Sequence, residues 1–151
     1  MKQFKITDEI LDFAIDNEIK AFDFYTDLAA KVSNPEMKGV FLDFAEEEKG
    51  HRKILEDVKK GKQVKLSGEK IADLKIADYV VDVKPTPNMS YQDALVLAMK
   101  KEKASFALYT DLAEATQDPA GKQLFTSLAQ QEAKHKLRFE LEYDEVILKD
   151  N

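Results

Sequence analysis

Two short motifs carry residue types that hold metal ions: Glu48-Lys49-Gly50-His51 and Glu132-Ala133-Lys134-His135. Each sets a carboxylate and an imidazole three residues apart. On a helix of about 3.6 residues per turn, positions i and i+3 share one face, about 4.5 Å apart along the axis. The two copies lie 84 residues apart (132 − 48 and 135 − 51). The same offset relates Glu18 to Glu102, Tyr25 to Tyr109, Pro35 to Pro119 and Phe41 to Phe125. The stretch from Ala21 to Ala29 reads as a copy of that from Ala104 to Ala113. One unit is written twice, and its repeated polar residues are of metal-ligand type.

Four helices are needed to position these residues. The spacing predicts the first over about residues 8–32, capped by Thr7, with the seam Leu11, Ala14, Glu18, Ala21, Tyr25, Leu28, Val32. Asn34-Pro35 starts the second, over about 35–60, with the seam Met37, Phe41, Phe44, Glu48, His51, Leu55, Val58. Ser90 caps the third, over about 91–116, whose seam runs Tyr91, Leu95, Ala98, Glu102, Ser105, Tyr109, Leu112, Thr116. Asp118-Pro119 starts the fourth, over about 119–148, with Phe125, Leu128, Glu132, His135 and Phe139 on its seam. Gly50, inside the second helix, costs about 1 kcal/mol relative to alanine, and close approach of another backbone would explain it. Residues 62–89 fit no helix of this kind, although Ser67-Gly68-Glu69 suits one short helical turn. Their length suits a crossover running along the bundle, and Ile71, Leu74, Ile76, Tyr79, Val81 and Val83 suggest that it packs. Phe13, Phe24, Leu97 and Leu108 lie off the seams and need a second cover, the crossover or another subunit.

The heights of the polar residues agree. Glu18 lies 16 residues before Asn34, and Glu48 and His51 lie 14 and 17 after it. Counting from Asp118, Glu102, Glu132 and His135 give 16, 14 and 17 again. At about 1.5 Å per residue all six sit roughly 21–25 Å from their turns. Two packed hairpins therefore bring four carboxylates and two imidazoles together. A lone Glu-x-x-His is ordinarily a solvated helix face, as Glu46 and Glu47 beside it suggest for themselves. Six such residues on apolar seams at matched heights are not. Buried alone, four carboxylates would repel one another and lose hydration. Two divalent cations would neutralise them. Oxygen donors with one imidazole per metal favour iron or manganese, with zinc as a substitute. Tyr25 and Tyr109 share the inward face. Each is either an ordinary core tyrosine or a hydrogen-bond donor to a ligating carboxylate. Glu142, seven residues past His135, reads as a solvated bundle end.

Composition narrows the field further. The chain has 151 residues, 34% charged and 44% hydrophobic, the balance of one globular domain. A net charge of −6 argues against nucleic acid or an anionic membrane as partner. The absence of cysteine excludes disulfides, thiol catalysis, iron–sulfur clusters and Cys-ligated zinc. No signal peptide or spanning apolar run is read, so a cytoplasmic location is the expectation.

With Glu18, Glu48-x-x-His51, Glu102 and Glu132-x-x-His135 on two hairpins, the whole chain resembles the ferritin-like superfamily, and most closely its rubrerythrin-like branch. That resemblance implies an all-α, ferritin-like four-helix bundle of two antiparallel helical hairpins joined by a long crossover. It implies a non-haem di-iron carboxylate oxidoreductase: two iron ions held by the six residues, and reduction of a small oxidant, peroxide or dioxygen. Rubrerythrins carry a further ligating glutamate three residues past the third-helix ligand, where this chain has Ser105. They also carry a Cys-ligated rubredoxin module, which this chain lacks, so electrons would come from a separate rubredoxin-like carrier. The six-ligand set is equally similar to that of bacterioferritin, leaving an iron-binding or storage protein with a ferroxidase site as an alternative. A metal-stabilised helical module without catalysis is another. A homodimer is expected, on the off-seam apolar residues.

Overall fold

The computed structural model describes residues 2–61, 71 and 73–150. Among them the regular elements are helical: α1 (Lys2–Lys31), α2 (Pro35–Lys59), a 3-10 turn (Ile76–Tyr79), α3 (Tyr91–Ala115) and α4 (Pro119–Asp150). The helix starts follow from capping chemistry. Asn34 accepts hydrogen bonds from the amides of Glu36 (2.8 Å) and Met37 (3.3 Å), with Pro35 at the first helical position. Ser90 caps Asp93 (3.1 Å) and Asp118 caps Ala120 (3.1 Å). The first helix differs from expectation. It begins at Lys2 rather than near residue 8, and Thr7 lies inside it. Residues 2–6 hold neither Gly nor Pro, and a threonine's preference for the cap is too weak to end a helix that its neighbours continue.

α1 packs on α2, and α3 on α4, as two antiparallel hairpins forming a ferritin-like four-helix bundle. The hairpins point in opposite directions. One apolar cluster joins the start of α1 (Ile10, Leu11, Ala14) to the end of α2 (Leu55, Val58), the end of α3 and the start of α4. The other joins Tyr25 and Leu28 to Met37 and Phe41, the start of α3 (Leu95, Ala98) and Phe139. The chain must therefore travel the length of the bundle between α2 and α3. Ile71 and Tyr79 are buried in the first cluster, with Leu74 and Ile76 against it. Val81 and Met89 pack on the second. Val83, expected to pack, is 46% exposed instead, because the chain there stands off α1 and α3 and lines a cavity. The expected turn at Ser67-Gly68-Glu69 lies outside the described residues. No helix among the described residues is long and apolar enough to cross a membrane.

Two smaller expectations change. A Cβ built on Gly50 meets nothing within 4 Å, so no backbone approaches closely there. Nothing in the structure explains this glycine. Gly50→Ala should stabilise the protein by about 0.5–1 kcal/mol, read as a higher urea midpoint at unchanged slope. An unchanged or lower midpoint would show that the glycine serves the fold. Phe24, Leu97 and Leu108 are buried within the chain, and Phe13 packs against the core, so these four call for no partner.

Candidate metal centre

Between the two apolar clusters lies a polar layer. Glu18 comes from α1, Glu48 and His51 from α2, Glu102 from α3, and Glu132 and His135 from α4. Each is at most 3% exposed. Their side chains form two groups, Glu18, Glu48, His51 and Glu132, and Glu48, Glu102, Glu132 and His135, whose donor atoms lie within 4.8 Å of one another. Glu48 and Glu132 belong to both groups. Glu18 with His51, and Glu102 with His135, stand at opposite ends. The sequence could not rank the carboxylates in this way.

The imidazoles turn Nδ1 inward. His51 Nδ1 lies 2.9 Å from Glu132, 3.5 Å from Glu48 and 3.7 Å from Glu18. His135 Nδ1 lies 3.4 Å from Glu48 and 3.6 Å from Glu102. Seven buried atoms here have no hydrogen-bond partner: both Nδ1 atoms, both oxygens of Glu132, and one oxygen each of Glu18, Glu48 and Glu102. Buried polar atoms are ordinarily satisfied, because each unsatisfied one costs roughly 1–3 kcal/mol. Seven orphans converging on one layer fit divalent cations, which take oxygen and imidazole donors and compensate the charge.

Without metal the layer holds protons. Burial, then the charges of Glu132, Glu18 and Glu102, push the Glu48 carboxyl well up. Burial and the charges of Glu102 and Glu18 do the same to Glu132. Burial also opposes ionisation of Glu102, but the neighbouring His135 and Glu132 and the Tyr25 hydroxyl outweigh it and hold that carboxyl below its usual range. Burial favours a neutral His51, yet Glu18, Glu48 and Gln131 prevail and raise it to about 9. His135 is raised likewise, by Glu102 and Glu47 against burial.

The tyrosines cross between hairpins. Tyr25 of α1 donates to Glu102 of α3, and Tyr109 of α3 donates to Glu18 of α1. Burial and the neighbouring carboxylates hold both phenols well above 10, so each remains a donor. Each fixes the one carboxylate at its end that is not shared. Tyr25→Phe should therefore weaken metal binding at the Glu102 end by about 10-fold, and Tyr109→Phe at the Glu18 end. Competition titration against a chelator measures both, and unaltered affinities would make them ordinary core residues.

Two functional neighbours escaped the sequence reading. Glu47, taken for a solvated residue, accepts from His135 Nε2 at 2.6 Å. Its other oxygen accepts from Gln131 Nε2 at 2.9 Å, and Gln131 Oε1 accepts from His51 Nε2. The 84-residue offset relates Glu47 to Gln131 and was the available signal (131 − 47). Glu142 is likewise no solvated end. It is 7% exposed and accepts from the Tyr91 hydroxyl at 2.8 Å, because Tyr91 at the start of α3 reaches across to α4. Ring packing steadies the imidazoles: Phe44 stacks on His135 at 3.8 Å, and Tyr109 meets His51 edge-on at 6.4 Å.

The cavity under the crossover, about 540 Å³, runs from Lys20, Val83 and Lys84 past Ser105 to Glu48 and Glu102. It lies between α1, α3 and the crossover, and its inner end is lined by Glu48 and Glu102 of the polar layer.

In comparisons with known proteins, the family model described as rubrerythrin matches residues 9–143. No curated protein and no solved structure matches the chain.

Proposed function

Since the chain belongs to the rubrerythrin family, we propose that it is a di-iron oxidoreductase in which Fe(II) reduces peroxide or dioxygen. The observation that carries this reading is the pair of four-residue groups sharing Glu48 and Glu132. Iron held there would supply the electrons and leave room for a small oxidant. The chain's residues do the rest. Glu48 and Glu132 hold the two positions together, and Glu18 with His51 and Glu102 with His135 complete them. Tyr25 and Tyr109 keep the end carboxylates aimed. The surrounding apolar clusters keep bulk water from the layer, and the cavity past Ser105 gives a small molecule its path. A serine there supplies no seventh carboxylate, so the reading rests on six ligands.

A separate electron carrier belongs to the same proposal, because a chain without cysteine holds no thiolate-ligated iron of its own. So does a cytoplasmic location. A homodimer through exposed Leu137, Leu141 and Leu148 of α4 belongs to it too, since Phe13, Phe24, Leu97 and Leu108 pack within the chain, and light scattering tests it.

The deciding experiment is anaerobic Fe(II) loading, then stopped-flow mixing with peroxide and with dioxygen. The proposal expects rapid oxidation and repeated turnover once a reductant is supplied. Oxidation of iron well beyond two ions per chain, with retention, would favour storage. Metal binding without oxidation would leave a structural module.

A further inference from the structure

The belt on the outer side of the imidazoles is directional. Glu47, as a carboxylate, only accepts. Gln131 must therefore turn its amide nitrogen to Glu47 and its carbonyl to His51. Both acceptors then require a proton on the outer Nε2 of each ring, and the inner Nδ1 is left to face the layer. The two rings share a tautomer but not a partner. His135 donates to a carboxylate, at 2.6 Å, whereas His51 donates to a neutral amide. An imidazole whose outer N–H meets a carboxylate is the more basic ligand at its other nitrogen.

The repeat makes this difference conspicuous. Positions 47 and 131 are equivalent under the 84-residue offset, and two glutamates there would face each other with no donor between them. One glutamate and one glutamine can bond. That pairing breaks the near-symmetry of the six inner residues just outside them, where α2 meets α4.

We propose that Glu47 and Gln131 are positioning residues that make the two metal positions unequal, so that the His135 position fills before the His51 position. This rests on the two-metal reading and adds an order of filling to it. The expected preference is about 10-fold, the lower end of what outer partners of metal-bound histidine contribute.

His51 and His135 are the only two histidines in the chain, so 15N-histidine labelling reports each position separately. Zn(II) is titrated into metal-free protein and the ring nitrogens are followed by NMR, with His51→Gln used to assign the signals. In the wild type the His135 signals should convert over the first equivalent and the His51 signals over the second. The exchange variant Glu47→Gln with Gln131→Glu keeps the pair bonded in reverse and should reverse the order. Glu47→Gln alone should make the rings convert together, which keeps the test open if the double variant fails to fold. Conversion of His51 first in the wild type, conversion of both in step, or an order unmoved by these substitutions would overturn the inference. No shift of either ring would instead contradict the two-metal reading beneath it.

Discussion

Replacing Glu132 by alanine is expected to strip the chain of both metal ions, whereas Glu18→Ala should strip it of one. Glu132 belongs to both groups of donors and Glu18 to one only. Removing Glu132 takes a ligand and a negative charge from each position at once. The loss at each should exceed the roughly 10–100-fold that outer partners alone cost, enough to release iron on desalting. Glu48→Ala should behave like Glu132→Ala, and Glu102→Ala like Glu18→Ala. The fold should survive all four. Burial and its neighbours already push the Glu132 carboxyl toward its protonated form, so the metal-free protein loses no strong ion pair with it. A change in metal-free stability within about 2 kcal/mol is expected. Metal analysis after desalting, beside thermal unfolding of each variant, reads both effects. One ion retained by Glu132→Ala would show that Glu132 does not bridge.

The second large effect is a pH dependence that metal reverses. In the metal-free protein Glu48 and Glu132 are raised above their ordinary 4.5, and His51 is raised from 6.5 to about 9. A group raised in the folded state holds its proton more tightly there than in the unfolded chain. Its stabilising contribution is full below its ordinary value and is lost as pH rises through the folded value. The two carboxyls and the imidazole thus act in one direction between about pH 5 and 9. The His51 shift alone corresponds to roughly 3 kcal/mol. Glu102, held down, acts below this window, and Tyr25 and Tyr109 act above it. Metal binds the deprotonated forms and releases these protons. Metal-free protein should therefore lose stability from pH 5 to 9, while the gain from Fe(II) grows over the same range. Anaerobic thermal unfolding with and without Fe(II) measures this. A gain that is flat or shrinking with pH would contradict the proton-filled layer.

The six inner residues were legible because each breaks an apolar seam, and a carboxylate on a seam announces itself. The repeat then fixed their partners, and the distances from Asn34 and Asp118 fixed their height. Which two carboxylates are shared was not legible, since all four glutamates lie on seams and only the packed geometry shows that Glu48 and Glu132 belong to both groups. Glu47 and Gln131 lie one position before Glu48 and Glu132, off the seam, where polar residues attract no notice. The start of α1 was misplaced because Thr7 follows a stretch without Gly or Pro, and a lone threonine there carries no decisive signal. Glu142 was misplaced because its partner, Tyr91, lies on another helix, and no periodicity within α4 reveals a bond to α3.

If the layer is preformed for two metal ions, the wild-type protein, loaded anaerobically with Fe(II), desalted and weighed by native mass spectrometry, should carry two ions per chain. Both should be retained in the cold and lost together in Glu132→Ala. One ion or none in the wild type would contradict it.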